Sequence, residues 1–369
     1  MKRIYEEVIL EHFQELDLML FVMGPRQVGK TTTCKDVGQD WENYYYLTWD
    51  NPSDRRMIIS GSDVVAAYTR VFPEALNTDP IIIFDEIHKY KKWKTFIKGF
   101  YDSYIHKSKK EEKLGKVLVT GSGKLNVYKR GGDSLMGRYF PFRFHPLSIA
   151  EIVNPTIPES ELRPVPKQIS DEDFEKLWKF GGYPAPFIEG EQRFYNRWKN
   201  LRFEKLFEED IRDLTRVQEI DQIQTMAILL QNQVGSNTTY DSLANGAGVS
   251  SKTVRNWLSV LKNLYYCFEV RPWSKNVTRS LLKEPKYYLW DWSLCEDVGA
   301  RAENFVALHL LKAVHFWTDY GFGEYELHYV RDKEQREVDF LITKDKKPWI
   351  LVEVKASKKK HITIINIFS

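Results

Sequence analysis

The segment GPRQVGKTTT, residues 24–33, sets Gly24, Gly29, Lys30 and Thr31 at the spacing G-x-x-x-x-G-K-[ST], a cradle for phosphate. Across Gly24, Pro25, Arg26, Gln27, Val28 and Gly29 the glycines let successive backbone N–H groups turn inward, and a following helix adds its positive end. Lys30 is then expected to reach the β- and γ-phosphates of ATP, Thr31 to offer its hydroxyl to Mg²⁺, and Thr32 to complete the binding segment. Asp85 closes the apolar run PIIIFD, as a carboxylate holding the shell of that Mg²⁺ must, and Glu86 follows at once. A glutamate there can accept a proton from an attacking water or orient it, so the pair points to hydrolysis more than to passive binding.

Two further groups carry chemistry. Near the carboxyl end, Asp339 on one apolar run and Glu353 and Lys355 on the next have the charge pattern of a metal-dependent nuclease. Alternation along a strand puts Glu353 and Lys355 on one face, and Glu303, at the start of a helical stretch, adds a further acid. Such a set can hold one or two Mg²⁺ ions and position water for attack on a phosphodiester; the plain alternative is an ion pair on an inactive scaffold. Between residues 240 and 264, Leu243, Ala244, Val249, Val254, Leu258 and Leu261 suit two short helices packed across a turn. Lys252, Thr253, Arg255 and Asn256 then stand in the first turns of the second helix, where side chains meet phosphates or base edges of DNA. The same module also serves protein contacts, and two cations make a small electrostatic footprint.

Hydrophobic periodicity supplies the elements that position these residues. Ile4, Val8, Ile9 and Phe13 have helical spacing, and the runs at 18–23, 80–86 and 116–122 read as buried strands separated by helical stretches, the pattern of a parallel α/β sheet. The charged run 106–114 reads as a solvated loop, and the proline-rich, polar stretch 154–170 as a linker. Helices follow on either side of GGYPAP (181–186), then the two-helix module, the strand-like YYCFEV and a helix over 301–314; no internal repeat is present. The length of 369 residues suggests two to four domains, and 43% hydrophobic residues suffice for their cores. With 54 Lys plus Arg against 51 Asp plus Glu, a net charge of +3 does not announce a nucleic-acid binder. Cys34, Cys267 and Cys295 are far apart and lack metal-ligand spacing, which fits core thiols in a reducing cytoplasm. Glu6, Glu7 and Glu11 stand where a signal peptide needs an apolar run, and no stretch approaches the roughly 20 apolar residues of a membrane span, so no membrane partner is expected.

GPRQVGKTT, IIIFDEIHK, VLVTGSGKL, LMGRYFPFRFHPLSIAEI, GGYP and the terminal EVDF…VEVK together resemble the prokaryotic predicted ATPases of the AAA+ type. In that family a P-loop core precedes a carboxy-terminal domain of unknown function described as PD-(D/E)xK nuclease-like. The resemblance implies Ser122 as the polar sensor of the γ-phosphate, with Thr120 second, and Arg138 as an arginine finger acting within the subunit or across a subunit boundary. The fold expected is an α/β P-loop NTPase sheet with a helical lid, a winged helix-turn-helix and a carboxy-terminal α/β nuclease-like domain. The expected division is a core over 1–152, a linker and helical region over 153–215, a winged helix-turn-helix over 216–275 and the nuclease-like domain over 276–369. Only 14 residues follow Lys355, fewer than the nuclease-like fold normally needs, so that domain is expected to be short and weak or inactive as a nuclease. The function expected is ATP hydrolysis with Mg²⁺, coupled to DNA or to a regulatory protein, in a chain able to form homo-oligomers. The alternatives are a nucleotide-dependent switch without a DNA role, and an ATP-coupled nuclease.

Overall fold

The computed structural model describes residues 1–71, 80–106, 115–121, 135–163, 167–211, 220–274, 284–332, 334, 336–355 and 363–365; of residues 209, 210 and 363–365 the backbone alone is described. The chain forms two compact units, Met1–His145 with Ala150–Glu159, and Pro146–Ile149 with Ser160–Ser369.

The first unit is built on five strands: β1 (Met19–Met23), β2 (Tyr44–Thr48), β3 (Ile81–Asp85), β4 (Lys116–Gly121) and β5 (Tyr139–Arg143). Their order is β2-β3-β4-β1-β5, and every neighbouring pair is parallel. All of β3 is buried, as are four of five residues of β1, which is why these strands read as unbroken apolar runs. One face carries Phe21, Ile82, Phe84 and Val119 into a core closed by Val65, Ile97 and Phe100 from flanking helices. Each such side chain contributes about 1.5–3 kcal/mol by leaving water. The three sequence-read strands are β1, β3 and β4; β2 and β5 went unread because both are edge strands. Only Leu47 is buried in the β2 sequence YYYLT, and Pro141 interrupts β5, which an edge tolerates. The register aligns Thr48, Asp85 and Thr120 across β2, β3 and β4, and Met23 with Gly121, so these residues share the carboxyl edge of the sheet.

The second unit contains the helices Asp171–Phe180, Pro184–Glu189, Gln192–Lys205 and Ile220–Gln231. The GGYP stretch is sterically fixed: a Cβ on Gly181, at φ +83°, would lie 2.6 Å from Asp291 Oδ1, and one on Gly182 would lie 2.7 Å from the Leu147 carbonyl oxygen. The expected two-helix module is present as Tyr240–Ala247 and Ser251–Asn263, joined at Gly248 with φ +68° and capped by the Ser250 hydroxyl, which accepts from Thr253 N–H at 3.1 Å. The expected helix over 301–314 runs from Val298 to Tyr320, with Asp297 capping Ala300 N–H at 2.8 Å and Gly321 ending it at φ +97°.

The remaining strands are β6 (Cys267–Pro272), β7 (Lys286–Leu289), β8 (Tyr325–Arg331), β9 (Glu337–Lys344), β10 (Lys347–Glu353) and β11 (Thr363–Ile365). They form one sheet in the order β11-β10-β9-β8-β6-β7. β6, which follows the two-helix module, pairs antiparallel with β7 and parallel with β8, so that strand joins the carboxy-terminal sheet across position 275. Hydrophobic runs reveal strands but not which strand pairs with which. The expected boundary at 215/216 and the charged stretch from 107 lie outside the described residues. Among the described residues no helix is long and apolar enough to cross a membrane.

Candidate functional site

The loop between β1 and helix Lys30–Gln39 carries the glycine-spaced motif to the carboxyl edge of the sheet. Gln27 at φ +61° and Gly29 at φ +99° are left-handed, and this alternation of hand turns backbone N–H groups into a concavity that suits an anion. Gly24 is required by packing, because a Cβ there would lie 2.3 Å from the Phe144 carbonyl oxygen. Gly29 precedes the helix, whose first N–H groups face the same concavity. Gln27 and Thr32 are exposed at its mouth, and Lys30 is buried. Lys30 Nζ donates to the Gly24 and Pro25 carbonyls at 2.9 and 2.6 Å, folded onto the loop whose phosphate ligand it would meet. Burial lowers its pKa to about 8, against the pull of Glu86 and Asp85.

Asp85 is 5% exposed and gathers three hydroxyls. Thr31 donates to Oδ2 at 3.0 Å and Tyr46 to the same oxygen at 2.5 Å, while Thr120 donates to Oδ1. The carboxylate and the Thr31 hydroxyl, the two groups expected to hold Mg²⁺, are thus in direct contact. Glu86 stands beside them at φ +54°, a conformation that costs a non-glycine residue about 1–3 kcal/mol. Its N–H donates to the Thr120 carbonyl at 3.1 Å. Oε2 is sealed from solvent with no hydrogen-bond partner among the described residues, and lies 3.6 Å from both His88 Nε2 and Lys89 Nζ. Burial raises the Glu86 pKa, with Lys30 and Lys89 opposing.

Other expected residues stand elsewhere. Ser122 lies outside the described residues. Arg138 is at the amino end of the sheet, where its carbonyl accepts from Met19 N–H at 2.9 Å, and its guanidinium forms a fork with Asp102 at 2.7 and 2.9 Å. β1 runs from Met19 to the loop, so Arg138 starts at the edge of the sheet opposite the phosphate loop. Tyr46, on the unread strand β2, was missed; it is the middle residue of YYYLT, and only the strand order shows that it meets Asp85.

Among the described residues no three His, Cys, Asp or Glu side chains are grouped to hold a metal. The β9–β10 register, with Leu351 opposite Leu341 and Val352 opposite Phe340, carries Glu353 toward Asp339 as expected. Asp339 Oδ2, however, accepts the Val354 N–H at 2.6 Å, and Lys355 is exposed. Glu303 Oε1 accepts from Tyr288 OH at 2.6 Å and stands 3.3 Å from Lys286 Nζ, which also pairs with Glu337 at 2.5 Å. Lys286 is 3% exposed, so a built-in ammonium supplies the positive charge that a divalent ion would bring. The sequence reading lacked Lys286 because β7 was not read as a strand.

On the helix Ser251–Asn263, Lys252, Arg255 and Asn256 are exposed and Thr253 is tied to Ser250 at 2.9 Å. The Arg255 guanidinium lies over the Tyr240 ring, 4.8 Å from its centroid.

Residues 17–153 match the family model of an AAA domain. Residues 171–303 and 298–368 match two domains of unknown function, DUF8612 and DUF4143. Among curated proteins the chain is similar to an uncharacterized protein of Methanocaldococcus jannaschii, 24% identical with 94% of this chain and 77% of that one covered. It is also similar to an uncharacterized protein of Mycobacterium tuberculosis, 20% identical with 90% and 69% covered. Similar solved structures include the Thermotoga maritima RuvB Holliday junction branch migration motor (14% identity, TM-score 0.34, 72% of this chain and 88% of that one). Another is AMPPCP-bound DnaA from Aquifex aeolicus (12% identity, TM-score 0.33, 69% and 86%).

Proposed function

We propose that the first unit binds ATP with Mg²⁺ and hydrolyses it, and that the second unit links this cycle to DNA or to a regulatory protein. The observation that carries the reading is the contact of Thr31 with Asp85, 3.0 Å apart at one end of the phosphate loop, with the Glu86 carboxylate next in the chain. In this reading Gly24 to Thr32 hold the phosphates, Lys30 neutralises the β- and γ-oxygens, Thr31 and Asp85 hold Mg²⁺, and Glu86 orients and deprotonates water. Bound Mg²⁺ supplies charge neutralisation at the phosphates. Thr120, on β4, is the described candidate for the polar sensor of the γ-phosphate. Arg138 remains a candidate across a subunit boundary, where it would exchange Asp102 for a neighbour's phosphate. Buried, unbridged thiols at Cys34, Cys267 and Cys295 suit a reducing cytoplasm.

The linkage of Lys30 to pH gives one test. Its free-state pKa is lowered to about 8 and phosphate favours the ammonium, so affinity holds below pH 8 and falls as the free lysine deprotonates above it. ATP affinity should weaken about fivefold between pH 8 and pH 9, with proton uptake visible by calorimetry in buffers of different ionisation enthalpy. A flat profile would remove Lys30 from the phosphate contact.

DNA is tested by ATP turnover with and without duplex, and by the salt dependence of binding. If Lys252 and Arg255 meet phosphates, affinity falls steeply with salt and each alanine substitution flattens the logarithmic slope by about one unit. The hold of Tyr240 on Arg255 favours the second reading, a protein-contact module. Salt-insensitive binding, or none at low salt, would leave the two helices as a protein-contact module.

A further inference from the structure

We propose that Arg3 and Glu151 are positioning residues that set the phosphate loop by pinning the Val28–Gly29 peptide. Both side chains are buried, Arg3 at 4% and Glu151 at 3% exposure, and neither belongs to the glycine-spaced motif. Arg3 Nε donates to Glu151 Oε1 at 2.7 Å and Nη2 to Oε2 at 3.2 Å, a two-point fork. The remaining donors go to backbone: Nη1 to the Val28 carbonyl at 2.6 Å and Nη2 to the His145 carbonyl at 2.8 Å. The guanidinium also sits near the Tyr5 and Phe144 rings, 5.3 and 5.0 Å from their centroids. Glu151 is fixed in turn, since its Oε1 accepts the Ile4 N–H at 3.1 Å as well.

The consequence follows from peptide geometry. Across a trans peptide the carbonyl and the next N–H point in opposite directions, and the described residues contain no cis bond. Holding the Val28 oxygen against Arg3 therefore aims the Gly29 N–H away from it, into the concavity, and favours the left-handed Gly29 that starts the helix. The His145 contact fixes the neighbouring chain as well. Phe144 N–H donates to Met23 O at 2.6 Å, and the Phe144 carbonyl leaves no room for a Cβ on Gly24, so the loop is braced at both ends. A lysine at position 3 keeps the charge, but its single nitrogen cannot reproduce the fork together with the Val28 contact.

The inference rests on the ATP-binding reading, and its test separates the two. Amide exchange at Gly29 is followed in the nucleotide-free protein, and MgATP affinity per folded molecule by calorimetry, for wild type, Arg3→Lys, Glu151→Gln and Ile9→Val, the last a core change in the helix Ile4–Glu15 that Arg3 precedes. Faster exchange at Gly29 and affinity about tenfold weaker are expected in Arg3→Lys, with smaller shifts of the same sign in Glu151→Gln. Ile9→Val, whatever its loss of thermal midpoint, is expected to leave both unchanged. If Arg3→Lys does not fold, Glu151→Gln decides. Wild-type exchange and affinity in the folded variants, even with lowered thermal midpoints, would reduce the pair to fold support and overturn the proposal. Failure of wild type itself to bind MgATP would overturn the ATP reading and the positioning role with it.

Discussion

Glu86→Gln protein is expected to bind MgATP with near wild-type affinity and to turn it over at least about a hundredfold more slowly, the usual contribution of a positioned general base. Glutamine keeps the shape of the side chain, and the backbone at φ +54° is held by the Glu86 N–H to Thr120 bond at 3.1 Å, so the phosphate loop is not disturbed. What disappears is the carboxylate oxygen that is sealed from solvent without a hydrogen-bond partner among the described residues. Because burial raises the Glu86 pKa, wild-type turnover should fall on the acid side at a higher pH than an ordinary glutamate would dictate. Calorimetric affinity and steady-state phosphate release separate binding from chemistry. Equal turnover in Glu86→Gln would assign the carboxylate to the fold.

Lys30→Ala is expected to lose MgATP affinity by about a hundredfold or more, the worth of one to two charge-assisted hydrogen bonds. The free protein should hardly notice. Lowering a lysine from 10.5 to about 8 means that the buried ammonium costs about 3 kcal/mol of stability below pH 8, a cost that fades as pH rises toward 10.5. Removing the charge relieves that cost while removing the buried stem and the bonds to Gly24 and Pro25, and the two effects offset. Loss of binding with a thermal midpoint within a few degrees of wild type is therefore the expected pair of results. Loss of both together would mean that Lys30 is a structural residue.

The phosphate loop was legible because its chemistry is local: glycines, lysine and threonine are read within ten residues, and Asp85 ends a run too apolar to be anything but a buried strand. What the sequence hid is non-local. Tyr46 reaches Asp85 only because β2 lies beside β3, and Arg3 meets Val28 and Glu151 across separations of 25 and 148 positions. The role of Arg138 came from a resemblance alone, and YFPFR, with its proline, does not announce the strand that Arg138 precedes. The acidic cluster was legible as charges along two strands. The lysine that closes it arrives on β7, whose place in the sheet is set by pairing with β6 rather than by any pattern of its own.

The most direct measurement is steady-state phosphate release from ATP by the purified wild-type chain in Mg²⁺, set beside Lys30→Ala prepared in the same way. Release that requires Mg²⁺, falls to background in Lys30→Ala and persists at a low level in Glu86→Gln is the predicted result. Wild-type release that survives Lys30→Ala, or a folded wild type that neither binds nor hydrolyses ATP, would contradict it.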